Sequence, residues 1–412
     1  MTLQINHTVA RLRCSKSGLE VDSHGFARPL GLCRCCPPPG KPVVVEYDTA
    51  KVLAGLSAKP LGQSGSGIWR FAPLLPVVGV PPGFADDVGG TPIAVQAELS
   101  AELEVELLLK NEGVCPSGSF KDRGLAVGIA LGVASGARRF CLPTQGNAGV
   151  AACMFSARLG LRGCLVYMPE GYQGCIYHRA CELFGGEVRF AGANIAAAGR
   201  KMRADLHAEL DRGECVDMST FFEPGRLEGK KTMGLEIALS LAGRPLPDVI
   251  VYPTGGGTGL VGIWKAFGEL RVLGIESRRL PRMVTVQAEN VAPVVEAFHK
   301  GLDEVTPVES RGTVADGLDV PGAIMGHRML AVLRDSGGTA VAVSEAAIRQ
   351  AFARYGQLGI PAGYESAATL AGVRQLRASG AIRPGESVLL INTGSHLIPL
   401  AKPGQFVQAG RP

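Results

Sequence analysis

Nowhere in these 412 residues does an apolar run approach the ~20 residues that a membrane helix needs. The opening segment, Met1 to Arg13, is mixed and polar and lacks the apolar stretch of a secretory leader. Eleven cysteines in a chain read without a leader predict a reducing cytoplasm, where thiols stay free. The net charge is only +5, and no run of Lys or Arg is present, so a nucleic-acid partner is not expected. There is no internal repeat and no low-complexity tract. The 56 glycines fall in discrete loops. What is present is a globular composition, 46% hydrophobic and 19% charged, long enough for two or more domains with their own cores.

Met1 to about Tyr47 reads as a separate module. It carries four of the cysteines (Cys14, Cys33, Cys35, Cys36) and Pro37-Pro38-Pro39-Gly40. Residues 48–90 read as a connecting arm with a Gly/Ser-rich stretch and the prolines Pro73, Pro76, Pro81 and Pro82. From Glu104 onward, short apolar runs alternate with longer helical patterns. Strands are predicted over Val105–Leu109, Arg139–Leu142, Gly163–Tyr167, Glu187–Phe190, Cys215–Met218, Val249–Tyr252, Met283–Gln287 and Ser387–Ile391. Helices are predicted over Gly149–Arg158, Ile195–Leu210, Lys231–Leu241 and Ala346–Tyr355, among others. Such alternation predicts an α/β protein with mostly parallel sheets.

Four loops carry chemistry, and each follows a predicted strand or opens a helix. Pro116-Ser117-Gly118-Ser119-Phe120-Lys121-Asp122-Arg123-Gly124 sets a lysine at the start of an apolar helical segment. That end of a helix is already partly positive, so the placement favours the free amine that a Schiff-base lysine needs. Taken alone, Lys121 reads as well as a solvated surface charge beside Asp122 and Arg123. Tyr252-Pro253-Thr254-Gly255-Gly256-Gly257-Thr258-Gly259 stands between a strand and a helix. Consecutive glycines let backbone N–H groups converge, and the following helix adds its positive end, which makes a phosphate cradle. It is neither Walker A nor a dinucleotide fingerprint; a plain turn is the alternative. Leu142-Pro143-Thr144-Gln145-Gly146-Asn147-Ala148-Gly149 offers a hydroxyl, N–H groups and an amide at a helix start, suited to a carboxylate. Simple capping by Thr144 or Asn147 is the alternative. Ile391-Asn392-Thr393-Gly394-Ser395-His396 follows the last strand. Loops at the C-terminal ends of strands are where open α/β sheets bind ligands. A reactive lysine, a phosphate cradle, an anion loop and a hydroxyl loop together suggest pyridoxal 5'-phosphate.

On these residues the chain resembles the fold-type II pyridoxal-phosphate enzymes, and within them the threonine synthases. Further matching stretches are Gly67 to Pro76, Gly90-Thr91-Pro92, Glu223 to Thr232 and Ser336 to Ala340. The resemblance implies two open, mostly parallel α/β domains and a small Cys-containing N-terminal module. The expected division is 1–47 for the degenerate zinc-ribbon-like module, 48–130 with 245–412 for the large cofactor-binding domain, and 131–244 for the small domain. It implies Lys121 as the Schiff-base lysine and Phe120 bordering the ring. Asn147 would bond the cofactor's phenolic oxygen, Gly255, Gly256, Gly257 and Thr258 its phosphate, and Thr393 its pyridine nitrogen. Thr144, Gln145, Gly146 and Ala148 would hold the substrate carboxylate. The implied reaction converts O-phosphohomoserine and water to threonine and phosphate, in a cytoplasmic homodimer acting on a small molecule. Arg179, Arg226 and Lys230 are candidates for the departing phosphate by charge only, with surface salt bridges as the plainer role.

The chain departs from the resemblance near the substrate. His396 and Gln145 stand where smaller residues are usual, and Gly171 to Ala180 has its own pattern. His396, expected among the substrate-binding residues, either reshapes the pocket or supplies an acid/base; a surface His just outside the site is the alternative. At the N-terminus, Ser17 stands where a thiolate of a Cys-x-x-Cys pair would be. Three well-placed thiolates do not close a tetrahedral site; Cys35 could substitute, but adjacent cysteines rarely ligate one ion, so a metal-free relic is expected. A related lyase acting on another activated amino acid, such as phosphoserine, is the alternative. A non-catalytic cofactor-binding protein is the third reading, disfavoured by the intact Lys121.

Overall fold

The computed structural model describes residues 2–21, 31–161 and 163–397. Residues 22–30 of the expected N-terminal module and 398–412 of the expected large domain lie outside the described residues. The chain divides into two units. One contains Met1–Gly90, Lys121–Leu235 and Gly268–Ile275, and the other contains Thr91–Phe120, Glu236–Phe267 and Glu276–Pro412.

In the second unit, six strands form one sheet in the order Thr339–Val343, Arg282–Ala288, Val249–Pro253, Ser387–Asn392, Glu106–Asn111 and Ile93–Val95. All neighbours run parallel except Ile93–Val95, which pairs antiparallel at the edge. The central strands read almost entirely apolar because helices cover both faces of a parallel sheet. Val249–Pro253 is buried throughout. The core on one side gathers Leu107, Leu109, Val251, Val286, Leu390 and the helix Tyr364–Ala378. That helix is buried around most of its circumference, Ser366 and Thr369 included, so its sequence carries no clear amphipathic stripe.

In the first unit, Glu187–Phe190, Cys164–Met168, Arg139–Pro143 and Cys215–Asp217 form a four-stranded, wholly parallel sheet. The strand–helix alternation read from the sequence is therefore what the backbone adopts. The predicted helix 195–210 is two helices, Ile195–Asp205 and His207–Asp211, joined at Leu206. The same unit holds a small antiparallel sheet in which Val9–Cys14 lies between Glu20–Val21 and Val43–Tyr47.

The helix Lys121–Ala134 is buried from Asp122 to Gly132. It crosses the helix Gly225–Ser240 closely. A Cβ at Gly229 would lie 2.0 Å from the Arg123 carbonyl oxygen, and one at Gly124 would lie 2.9 Å from that of Arg226. Glycine at both positions lets the two backbones approach. Arg123 is fully buried and donates from Nη1 to Thr232 Oγ1 at 2.9 Å. Lys121 thus opens a helix whose next two residues, both charged, are interior.

Candidate active site

In the second unit, the loop after Val249–Pro253 turns into the helix Thr258–Val272. The loop is shaped by what lies beneath it. A Cβ on Gly255 would sit 2.2 Å from the carbonyl oxygen of Gly317, and one on Gly257 2.1 Å from Met329 Cε. Gly257 also has φ +76°, which side chains other than glycine rarely adopt. A Cβ on Gly259 would strike the Tyr252 hydroxyl at 2.1 Å. Only glycines fit this bend, and Thr258, nearly buried, opens the helix. The first N–H groups of a helix have no partner within it, and they carry its positive pole. That chemistry fits a phosphate monoester, and the charge to be held matches the field.

The segment before Lys121 is stitched to the last loop of the same unit. Phe120 N donates to Thr393 O at 3.0 Å, Ser395 N donates to Gly118 O at 2.8 Å, and Ser119 bridges Gly394. The Phe120 ring meets Tyr252 edge-on, with centroids 6.3 Å apart. Thr393 is nearly buried, and Asn392 Nδ2 donates to Asn111 Oδ1 at 2.7 Å, tying the ends of neighbouring strands together. His396 is half-buried, and its Nδ1 is buried without a hydrogen-bond partner among the described residues.

Lys110 and Glu112 were not singled out by sequence reasoning. Both are fully buried. Lys110 Nζ lies 2.9 Å from Glu236 Oε2 and 3.6 Å from Glu112 Oε1, and it donates to Thr91 O at 3.2 Å. Thr91 Oγ1 donates to Glu112 Oε1 at 2.7 Å. Burial and the charge of Glu112 push the Tyr252 phenol well above its usual value. The signal was available: a lysine inside the strand sequence Glu-Leu-Leu-Leu-Lys-Asn is a charge in an interior run.

In the first unit, Lys121 is half-buried at the first position of its helix. Thr144, Gln145, Gly146, Asn147 and Ala148 follow the strand Arg139–Pro143. Thr144 is nearly buried, and its Oγ1 accepts from Gly146 N at 3.0 Å. Gly146 is squeezed: a Cβ there would lie 2.8 Å from the Tyr177 ring. The N-cap of the helix Asn147–Arg158 is Gly146, with no side-chain cap bond. Neither Thr144 nor Asn147 caps the helix, which removes the plain capping reading of this loop. The half-buried Asn147 amide is left available for another partner.

Arg226 and Lys230 do not form surface salt bridges. Both are interior, and Arg226 Nη1 donates to Met218 O, whereas Arg179 is exposed. Beside Arg226, burial pushes the Glu223 carboxyl up to about 7, against the Arg226 charge and the N–H groups of Arg226 and Gly225. At the N-terminus, the Sγ atoms of Cys14, Cys33, Cys35 and Cys36 all lie within 4.8 Å of one another. The spacing left this set open at three thiols. The turn after Cys33 brings in all four.

Residues 84–394 match the family described as Pyridoxal-phosphate dependent enzyme. The threonine synthase of Methanocaldococcus jannaschii is 31% identical over 389 residues, covering 93% of this chain and 92% of that protein. The threonine synthase of Methanosarcina acetivorans is 32% identical over 358 residues, covering 86% and 85%. Among solved structures, a fungal L-serine ammonia-lyase from Rhizomucor miehei superposes with TM-score 0.64 at 20% identity, covering 77% of this chain and 98% of that one. Maize serine racemase superposes with TM-score 0.62 at 18% identity, covering 74% and 88%. The structural likenesses establish the fold. The sequence likenesses make the protein a pyridoxal-phosphate dependent lyase, of the class that eliminates or replaces a group on an amino-acid side chain. With a family match over most of its length and relatives above 30% identity over most of both chains, the chain belongs to the threonine synthase family of pyridoxal-phosphate dependent enzymes.

Proposed function

We propose that this enzyme is a threonine synthase, converting O-phosphohomoserine and water to threonine and phosphate. The observation that supports it most is the likeness to threonine synthases along 93% of the chain. In this reading Lys121 bonds the cofactor through its ε-amine. Gly255, Gly256, Gly257 and Thr258 hold the phosphate, Asn147 holds the phenolic oxygen, Phe120 borders the ring, and Thr393 faces the pyridine nitrogen. Thr144, Gln145, Gly146 and Ala148 hold the substrate carboxylate. When bound, the cofactor supplies the electron sink that stabilises a carbanion at the substrate Cα.

The chain's own work is positioning and proton transfer. Lys121 Nζ, as a free amine, would take the proton from the substrate Cα and return protons at later carbons. A hydroxyl at the ring nitrogen, where an Asp would hold it protonated, limits delocalisation and suits elimination at the side chain. The helix start at Asn147, which no side chain caps, and the glycine-requiring positions 255 and 257 support the cofactor roles. The proposal includes a homodimer in the cytoplasm. Among the described residues no helix is long and apolar enough to cross a membrane.

A second reading, replacement chemistry on phosphoserine, is favoured by one observation. His396 keeps a buried Nδ1 without a partner among the described residues, beside Thr393 in sequence. Two measurements decide. The purified protein should show the visible absorbance of lysine-bound cofactor, and Lys121→Ala should lose it. Phosphate release from O-phosphohomoserine should exceed release from O-phosphoserine. Turnover of the latter alone sinks the threonine synthase reading and leaves the lyase class standing.

A further inference from the structure

The N-terminal cysteine cluster plays no part in this chemistry. Cys14 ends the strand Val9–Cys14, pairs across to Val43, and enters a tight turn in which Gly18 N donates to Cys14 O at 3.0 Å. Cys33 opens a second turn. Its N–H donates to Lys41 O at 2.8 Å, and Gly40, at φ +88°, lies so close that a Cβ would sit 2.1 Å from Cys33 O. The two turns present their sulfurs to one point. Cys33 Sγ is 3.4 Å and Cys36 Sγ 3.5 Å from Cys14 Sγ. All four sulfurs fall within 4.8 Å of one another. Tetrahedral zinc with Zn–S near 2.3 Å sets its sulfurs about 3.8 Å apart, inside this range.

Two further observations point the same way. Backbone N–H groups aim at the buried sulfurs: Ser17 N lies 3.4 Å from Cys14 Sγ and Lys41 N lies 3.4 Å from Cys33 Sγ. Such donors stabilise negative charge on sulfur and orient a ligating thiolate. The apolar core beneath is small. Its buried members are Leu12, Cys14, Cys33, Val43 and Val45, so the two cysteines are themselves part of it. A module with so little to bury ordinarily needs a covalent or metal staple. Among the described residues no cysteine is in a disulfide.

We propose that Cys14, Cys33, Cys35 and Cys36 form a four-thiolate structural zinc site. Ser17, which occupies the sequence position of a missing thiol, stands outside the set with its Oγ 3.5 Å from Cys35 Sγ. The missing ligand is supplied by Cys35, placed two residues after Cys33 by the turn. Each thiol gives up its proton as the metal binds. Four protein ligands leave no open position for substrate or water, so the role is to hold the module together.

The test uses the full-length protein purified in reducing, chelator-free buffer. Elemental analysis should find about one zinc per chain. Cobalt(II) added after zinc removal should give the intense thiolate charge-transfer bands of a tetrahedral site. Cys35→Ser, at the exposed ligand, should fold and weaken zinc binding at least tenfold. Substoichiometric zinc, a different resident metal, cobalt spectra without thiolate bands, or unchanged affinity in Cys35→Ser overturns the proposal. Should the substitution unfold the protein, the metal content and cobalt spectrum of the wild type still decide. None of these readouts involves the lyase activity, so the site stands or falls separately from the proposed reaction.

Discussion

At the scale of single residues, the informative side chains are those freed from a structural duty. Asn147 is the clearest. Thr, Ser, Asp or Asn at a helix start usually cap it, and losing such a cap costs about 1 kcal/mol. Here Gly146 is the cap residue and no side chain bonds the helix end. Asn147→Ala should therefore change stability by less than about 0.5 kcal/mol, measured by denaturant unfolding of the apoprotein. It should nevertheless shift the visible absorbance maximum of the holoprotein. A full capping loss with an unmoved spectrum would return Asn147 to a structural role. Glu223 shows the opposite case, a carboxyl held inside. Its value is about 7 in the folded protein against 4.5 ordinarily. The folded state holds the extra proton between these values, so stability falls as pH rises from about 4.5 through 7. Glu223→Gln should remove that slope, an effect on the order of 1–3 kcal/mol. Melting temperatures of both proteins across this window check it.

At the scale of elements, close backbone approach decides how Lys121 is presented. Its helix can lie against Gly225–Ser240 only because Gly229 has no side chain where the Arg123 carbonyl passes. Gly229→Ala should force the helices apart and cost about 1–3 kcal/mol in chemical unfolding. Because the displaced helix begins at Lys121, cofactor affinity should weaken in the same variant. Unaltered cofactor binding would show that the helix start is held from elsewhere. The reading of elements from sequence succeeded where strands are interior. Val-Ile-Val-Tyr-Pro and Ser-Val-Leu-Leu-Ile-Asn are apolar runs because both faces are covered. It passed over Thr339–Val343 as a strand, since Thr-Ala-Val-Ala-Val at the sheet edge is only partly buried and its alanines fit a helix equally well. It ran Ile195–Asp205 and His207–Asp211 together, because nothing in composition marks the break at Leu206.

At the scale of the whole molecule, discontinuous segments build each unit, so each contains strands distant in sequence. Ligand binding to the folded state alone stabilises it by mass action. At pyridoxal phosphate concentrations a hundredfold above its Kd, the protein should gain about 2.7 kcal/mol over the apoprotein. Removing the cofactor should lower the melting temperature accordingly, and Lys121→Ala should shrink the difference. An identical melting curve with and without cofactor would mean that the chain does not bind it when folded.

The sequence by itself determined the types of residue that carry chemistry and the runs that become strands. A lysine at a helix start, a triple glycine after an apolar strand and a Thr-Gly-Ser loop are local patterns, so local reading finds them. Tertiary structure alone decided which of them meet. Ser387–Asn392 inserts between Val249–Pro253 and Glu106–Asn111, which is why Thr393 is bonded to Phe120 some 270 residues earlier. It also decided which charges are interior. Arg123, Lys110 and Arg226 look like surface residues until strands and helices pack around them with partners in place. The N-terminal cysteines follow the same rule. Their spacing left Cys35 in question as a fourth ligand, and the turn at 33–40 brings its sulfur to the other three. Strand order and turn geometry depend on contacts between distant parts of the chain, and a one-dimensional pattern contains no measure of those distances.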